Sequence, residues 1–138
     1  MQQFRRAVEA RDEEAIAALL AEDVVFTSPV AFTPYPGKAT TAAILRAVMR
    51  VFEDFHYVRE ITDGNGQDSA LIFHAVVAGK QVSGCDFLHV NDEGLIDDFT
   101  VMVRPLSAAV AVSEAMGAQF DRVQREAAAA PAAASGPS

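Results

Sequence analysis

Beyond Phe55 the apolar period changes from helical to alternating and stays so through Val103. Residues 56–62 form one strand candidate, and the turn DGNGQD follows. Residues 70–78 (ALIFHAVVA) form a second, Gly79-Lys80 a tight turn with glycine first, and residues 82–90 a third. The turn NDEG then leads to a last strand over 95–103. Strands joined by turns this short pair antiparallel with their chain neighbours, so the second half of the chain is a four-strand meander. The near-continuous apolar run 70–78 predicts cover on both faces of the sheet.

The first half is helical with one strand. Phe4, Ala7 and Val8 recur at helical spacing; Asp12 caps a second helix, with Glu13 and Glu14 in its first turn and Ile16, Leu19 and Leu20 on its buried side. Val24, Val25 and Phe26 begin a β-branched, aromatic segment that stops at Pro29. The stretch TPYPG is a loop. Thr40 or Thr41 caps a third helix with the stripe Ile44, Leu45, Val48, Val51, Phe52 and Phe55. Pro105 opens a C-terminal helix carrying Leu106, Val110, Met116, Phe120 and Val123. Helices segregated from an antiparallel sheet make this an α+β fold.

The turns set a register. With Gly79-Lys80 as the loop, Phe73 faces Asp86 and His74 faces Cys85; with 91–94 as the next loop, Asp86 faces Phe99 and Gly84 faces Val101. Facing residues share a side of the sheet. One side then holds Leu71, Phe73, Val82, Asp86, Leu88, Asp97, Phe99, Val101 and Val103, apolar but for two carboxylates. Asp86 stands in a central strand on that side. A carboxylate there must be protonated or paired, and Arg59 and Arg104 are the cationic candidates for a structural pairing. His74 and His89 fall on the opposite side, which removes them as partners for Asp86.

Composition narrows the function classes. Eleven basic against nineteen acidic residues give a net charge of −8, which excludes a phosphate-binding face and hence nucleic acid. One cysteine and three scattered histidines provide neither a disulfide framework nor a metal site. No apolar run is long enough to span a membrane, and MQQFRRAVEARDEEA reads as an amphipathic helix without the apolar core of a secretory signal, so a soluble cytoplasmic protein is expected. Of the apolar 51% of residues, 26 are alanines, seven of them within AAAAPAAASGPS. Residues 1–126 are thus read as one domain and 127–138 as a disordered Ala/Pro/Ser tail, whose polyalanine could alternatively extend the helix by a turn or two.

The opening FRRAVEARDEEAIAALLAEDVVFTSPV, the loop PYPGK and the run GCDFLHVNDEGLIDDFTVMVRPLSA resemble the nuclear transport factor 2-like superfamily, which includes ketosteroid isomerases and SnoaL-type polyketide cyclases. The resemblance covers residues 1 to about 120. It implies a cone-shaped roll: a strongly bent sheet packed on the N-terminal helices, closed by a C-terminal helix, with an apolar pocket inside. It is specific for the fold and weak for any one activity. Ketosteroid isomerases use an aspartate base with a tyrosine and a protonated aspartate as oxyanion hole. Along the resemblance the tyrosine position falls on Phe4 and the base falls on Ser28 of Thr27-Ser28-Pro29-Val30. The oxyanion-hole aspartate falls on Asp86. One of three is retained, so steroid isomerisation is not expected.

The expected function is binding of a small apolar molecule, polycyclic or polyketide-like. Phe4, Phe26, Ser28, Phe52, Phe73, Leu88, Phe99, Val101 and Val103 would line the pocket. Any chemistry would be cofactor-free isomerase or cyclase work, with Asp86 and Asp97 as acid-base residues. The alternative is a non-catalytic dimeric binding module. A homodimer through the sheet suits both, because LIFHAVVA and FTVMV carry more apolar surface than one covered face needs.

Overall fold

A computed structural model describes residues 1–130. Helices α1 (Gln2–Glu9) and α2 (Glu13–Ala18) lead into β1 (Leu20–Thr27) and a two-residue β2 (Tyr35–Pro36). Helix α3 (Lys38–Val51), the meander β3 (Glu53–Thr62), β4 (Asp68–Val77), β5 (Lys80–Val90) and β6 (Ile96–Arg104), and the long helix α4 (Leu106–Ala129) complete the chain. The six strands form one bent sheet in the order β2-β1-β6-β5-β4-β3, with β1 parallel to β6 and every other pair antiparallel. The expected α+β roll, with helices at both ends of the chain around a meander, is the observed architecture.

Local chemistry explains the helix starts. Asp12 caps α2 as its residue type predicts, its carboxylate accepting the Ala15 N–H at 3.1 Å. Helix α3 begins earlier than expected. Gly37, at φ 99°, ends the loop in a conformation a side chain resists, and the helix runs from Lys38. Thr41 is therefore inside the helix, fully buried, and caps nothing. At the far end α3 stops at Val51, so of two residues expected on its stripe Phe52 is the extended C-cap and Phe55 lies in β3. Leu20 likewise belongs to β1 rather than α2. Helix α4 continues through Ala129, so residues 127–129 are helical rather than part of a disordered tail; 131–138 lie outside the described residues.

The β4–β5 turn is Ala78-Gly79, one residue earlier than expected, and Val77 faces Lys80. Both turn residues have positive φ, 50° and 78°, which is the two-residue loop whose twist matches the strands. Moving a turn by one residue moves each partner by two, so every residue keeps its face. Leu71 rather than Phe73 now faces Asp86, and Phe73 faces Gly84. Across β5–β6 the same two-residue offset sets Asp86 opposite Val101 and Leu88 opposite Phe99. Alanine in this left-handed conformation costs about 1 kcal/mol or more. Ala78→Asn, which creates the preferred Asn-Gly pair, is expected to stabilise the fold by about 1 kcal/mol in urea denaturation. An unchanged or lower midpoint would show that the turn is not under this strain.

Burial alternates strictly along β4: Leu71, Phe73, Ala75 and Val77 are covered, while His74 between them is exposed. Two-sided cover of residues 70–78 is thus not observed. The inner face packs against α1, α3 and α4 in one core that includes Phe4, Phe26, Phe73, Phe99 and Val112. The outer face of the sheet carries no element of this chain among the described residues.

Candidate functional site

Between the concave sheet face and the helices lies a cavity of about 560 Å³. Phe4 and Val8 reach it from α1, Val48 and Met49 from α3, and Val112, Met116 and Phe120 from α4. Edge-on and stacked aromatic pairs form much of its wall. Phe99 meets Phe4 and Phe26, both with centroids 5.4 Å apart, and Phe55 stacks on Phe73 at 4.6 Å. Such pairs favour offset and edge-on geometries, because of the ring quadrupoles, by about 1 kcal/mol each.

Asp86 points into this wall from β5. It is 5% exposed, and among the described residues its carboxylate accepts one side-chain hydrogen bond, from Tyr57 of β3, whose Oη donates to Oδ2 at 2.7 Å. Burial pushes the Asp86 carboxyl up to about 7, against the opposing pull of the Tyr57 hydrogen bond. Burial, and then the neighbouring Asp86 charge, hold the Tyr57 phenol well above its ordinary value. The tyrosine therefore keeps its proton near neutrality, where the carboxyl gains or loses its own. Oδ1 accepts no protein hydrogen bond among the described residues, so a protonated Asp86 has a donor to offer a carbonyl or enolate oxygen in the cavity.

Seven of the nine expected lining residues line the cavity: Phe4, Phe26, Ser28, Phe52, Phe73, Phe99 and Val101. Leu88 is instead sealed within the core at 2% exposure, and Val103 packs against the core's edge. Ser28 lies in the loop after β1, where its hydroxyl accepts the Val30 N–H at 3.0 Å and shapes the turn at Pro29. Glu9 and Arg11 also reach the lining, and Arg11 donates to the Met49 carbonyl at 2.7 Å, tying the α1–α2 turn to the end of α3.

Asp97 is not with Asp86. His89 faces Asp98 and Val90 faces Ile96, so Asp97 is the extra residue of a bulge. Its carboxylate lies 2.6 Å from Nδ1 of His89, and that hydrogen bond raises the imidazole's pKa. The expected placement of Asp97 on the same face as Asp86 is overturned by this bulge, which bonds Asp97 to His89 on the other face. Arg59 and Arg104, weighed as partners for Asp86, are both exposed and neither pairs with it. His74 and His89 stand on the face away from Asp86, as their register predicts.

Tyr57 is the residue that sequence reasoning missed. The visible signal was parity: Tyr57 sits between exposed His56 and Val58. Its pairing with β4 runs through a long turn, DGNGQD, and two register shifts, so no count along the sequence places it on the face of Asp86.

Comparisons with known proteins agree with this architecture. A family model described as SnoaL-like domain matches residues 1–99. A steroid delta-isomerase from Pseudomonas aeruginosa is 36% identical, with 90% of each chain covered and a TM-score of 0.84. A protein with a cystatin-like fold from Silicibacter pomeroyi, conserved in bacteria, is 34% identical over 91% of this chain and 92% of its own, with a TM-score of 0.80. A candidate polyketide cyclase from Pseudomonas putida, 20% identical over 77% of this chain and 89% of its own, shares the fold with a TM-score of 0.62. Among curated proteins none matches. The family match over most of the chain, the 36% identity across nine-tenths of it and the shared roll lead to one assignment: this chain belongs to the SnoaL-like domain family of the nuclear transport factor 2-like superfamily.

Proposed function

We propose that the chain binds a small, mainly apolar, ring-bearing molecule in the cavity and performs cofactor-free acid-base chemistry on it, of the isomerase or cyclase type, through Asp86. The observation that carries this reading is the Tyr57–Asp86 pair: a buried carboxyl titrating near 7, at the wall of an apolar cavity. The volume falls within the range of small-molecule sites. In a ring closure a neutral Asp86 gives its proton to the carbonyl oxygen under attack and, as a carboxylate, takes back the proton that the attacking enol hydroxyl releases, while Tyr57 holds the carboxyl in place. The surrounding aromatic rings exclude water and strengthen that hydrogen bond.

Steroid isomerisation, the activity for which the Pseudomonas aeruginosa relative is named, lies outside the proposal. Carrying a proton from one carbon to another needs a base near neutral pH. Ser28, at the position where the resemblance puts that base, has no group beside it among its hydrogen bonds that would activate its hydroxyl. Phe4 has no donor to give an oxyanion. Wild-type protein is expected to leave a 3-keto-Δ5-steroid unchanged, and substantial turnover would defeat this assignment of Phe4 and Ser28.

The test of the positive reading is native mass spectrometry of freshly purified protein, followed by Asp86→Asn. A co-purified apolar ligand whose binding or turnover depends on Asp86 is expected. The alternative, a non-catalytic binding module, predicts instead that Asp86→Asn leaves both unchanged, and that result would remove the catalytic reading.

A further inference from the structure

The turn that joins α1 to α2 carries a residue its backbone does not favour. The Asp12 N–H reaches back to the Ala7 carbonyl and the Arg11 N–H to the Val8 carbonyl, each at 2.9 Å. These two bonds make the helix ending in which one residue takes the left-handed conformation, and that residue is Arg11, at φ 56°. Glycine is the usual occupant, because a Cβ is crowded there. An arginine in a glycine's place points to a reason outside the turn. Its side chain supplies one. Phe4, Val8 and Arg11 are spaced by four and three residues, so they share one side of α1 and its cap, and all three line the cavity. The Nη2 group of Arg11 is fixed on the Met49 carbonyl at 2.7 Å. Arg11 is exposed and makes no ion pair among the described residues, so its remaining N–H groups are open at the rim of the cavity. The other charged lining residues are Glu9 and Asp86. Glu9 is bonded to Arg5 at 3.1 Å. Asp86 belongs to the Phe4 end: Phe4 meets Phe99, and Phe99 faces Leu88, two residues along β5 from Asp86. Seven residues at 1.5 Å each put Arg11 about 10 Å along the wall from that end.

We propose that Arg11 is an anion subsite at the rim of the cavity, and that the ligand is a ring compound that carries a carboxylate there and directs its reacting carbonyl toward Asp86. This inference rests on the cavity reading above and narrows the class of ligand. A guanidinium presents its N–H groups as a planar fork, which matches the two oxygens of a carboxylate. The bond to Met49 holds that fork in place before a ligand arrives, so less side-chain freedom is lost on binding. Aromatic walls grip a ring system without telling one of its ends from the other; a cation at one end and a carboxyl at the other fix its direction. The exposed rim also leaves the anion partly in water, so the ligand's charge is not stripped of its solvent in the apolar interior.

Calorimetric titration of the full chain with anthraquinone-2-carboxylate and with anthraquinone-2-carboxamide, at pH 6 and low salt, tests it. The two probes share their fused rings and their size. Only the first is charged at this pH, where Asp86 still holds most of its proton. The ratio of the two dissociation constants is the readout. Wild type is expected to bind the carboxylate at least about fivefold more tightly, a preference that shrinks at high salt. In Arg11→Gln the ratio should fall to about one, because the fork is gone. Arg11→Gly removes the same group and relaxes the turn. Its ratio should fall likewise while its urea midpoint stays at or above the wild-type value, which a merely structural arginine would not allow. A wild-type ratio of one would overturn the subsite and leave the cavity reading standing. So would Arg11 variants that weaken both probes and keep the ratio. Binding of neither probe to the wild type would overturn the cavity reading and the subsite together.

Discussion

Asp86→Asn is expected to remove a loss of stability that the wild type suffers between about pH 4 and pH 7. The sign follows from proton binding. Folding raises the Asp86 carboxyl from an ordinary carboxylate value to about 7, so across that interval the folded chain holds a proton that the unfolded chain has released. Raising the pH then favours the unfolded state. The favourable contribution is complete below about pH 4, falls steadily, and is gone above about pH 7. A difference of about three pH units between the two states corresponds to about 4 kcal/mol, a large part of a small domain's stability. Asparagine keeps the shape, accepts the Tyr57 hydroxyl through its carbonyl, and does not titrate. Urea denaturation at pH 4, 5, 6, 7 and 8 should show the variant gaining on the wild type at each step and exceeding it at pH 8. Other groups give both proteins the same background, such as Glu126, whose pKa the neighbouring Arg122 and Arg46 lower despite the opposing effect of burial. The difference between the two curves therefore isolates Asp86. Parallel curves would mean that its carboxyl is ionised in the folded protein, and the proton offered to a ligand would be lost with it.

That prediction rests on one residue whose setting was readable from the sequence and one whose setting was not. Asp86 stood out because a period-two pattern put a carboxylate among Phe, Leu and Val, and side-chain parity survives even a turn misplaced by one residue. The element order was legible for the same reason, since local periodicity and turn residues fix most strands and helices. The partner of Asp86 depends on pairing across β3–β4, where two register shifts and a long turn break the count. Asp97 failed through one inserted residue: the bulge beside His89 is invisible in a sequence that alternates correctly on both sides of it. Helix ends failed where backbone geometry overrode side-chain type, as at Gly37, whose positive φ starts α3 ahead of the threonines.

Gly84→Ala is expected to be the most disruptive single-methyl change in the meander. Gly84 faces Phe73 across β4–β5 on the inner side of the sheet. A Cβ built there would sit 2.7 Å from Cε2 and 2.9 Å from Cε1 of the Phe73 ring, and closer still to Cζ. Carbon atoms do not approach so nearly, so the ring must move. Its neighbours leave it little room: Phe55 stacks on it at 4.6 Å, and Phe52 and Tyr57 meet it edge-on with centroids 6.2 Å and 6.5 Å away. Overpacking of this kind costs about 1–3 kcal/mol. With the ring held on several sides, the upper end, about 3 kcal/mol or about 10 °C in Tm, is the expected loss. The displaced ring also presses on Tyr57, so the Tyr57–Asp86 hydrogen bond and the pH dependence described above should weaken together. A double-mutant cycle supplies the control. Phe73→Leu alone opens a cavity and destabilises, but in the Gly84→Ala background it relieves the clash and should recover about half of the loss. Additive losses would mean that Gly84 is required for a reason other than the ring it accommodates. Recovery would show that a glycine in a central strand, which by propensity weakens the sheet, is retained here because it lets an aromatic wall form beside Asp86.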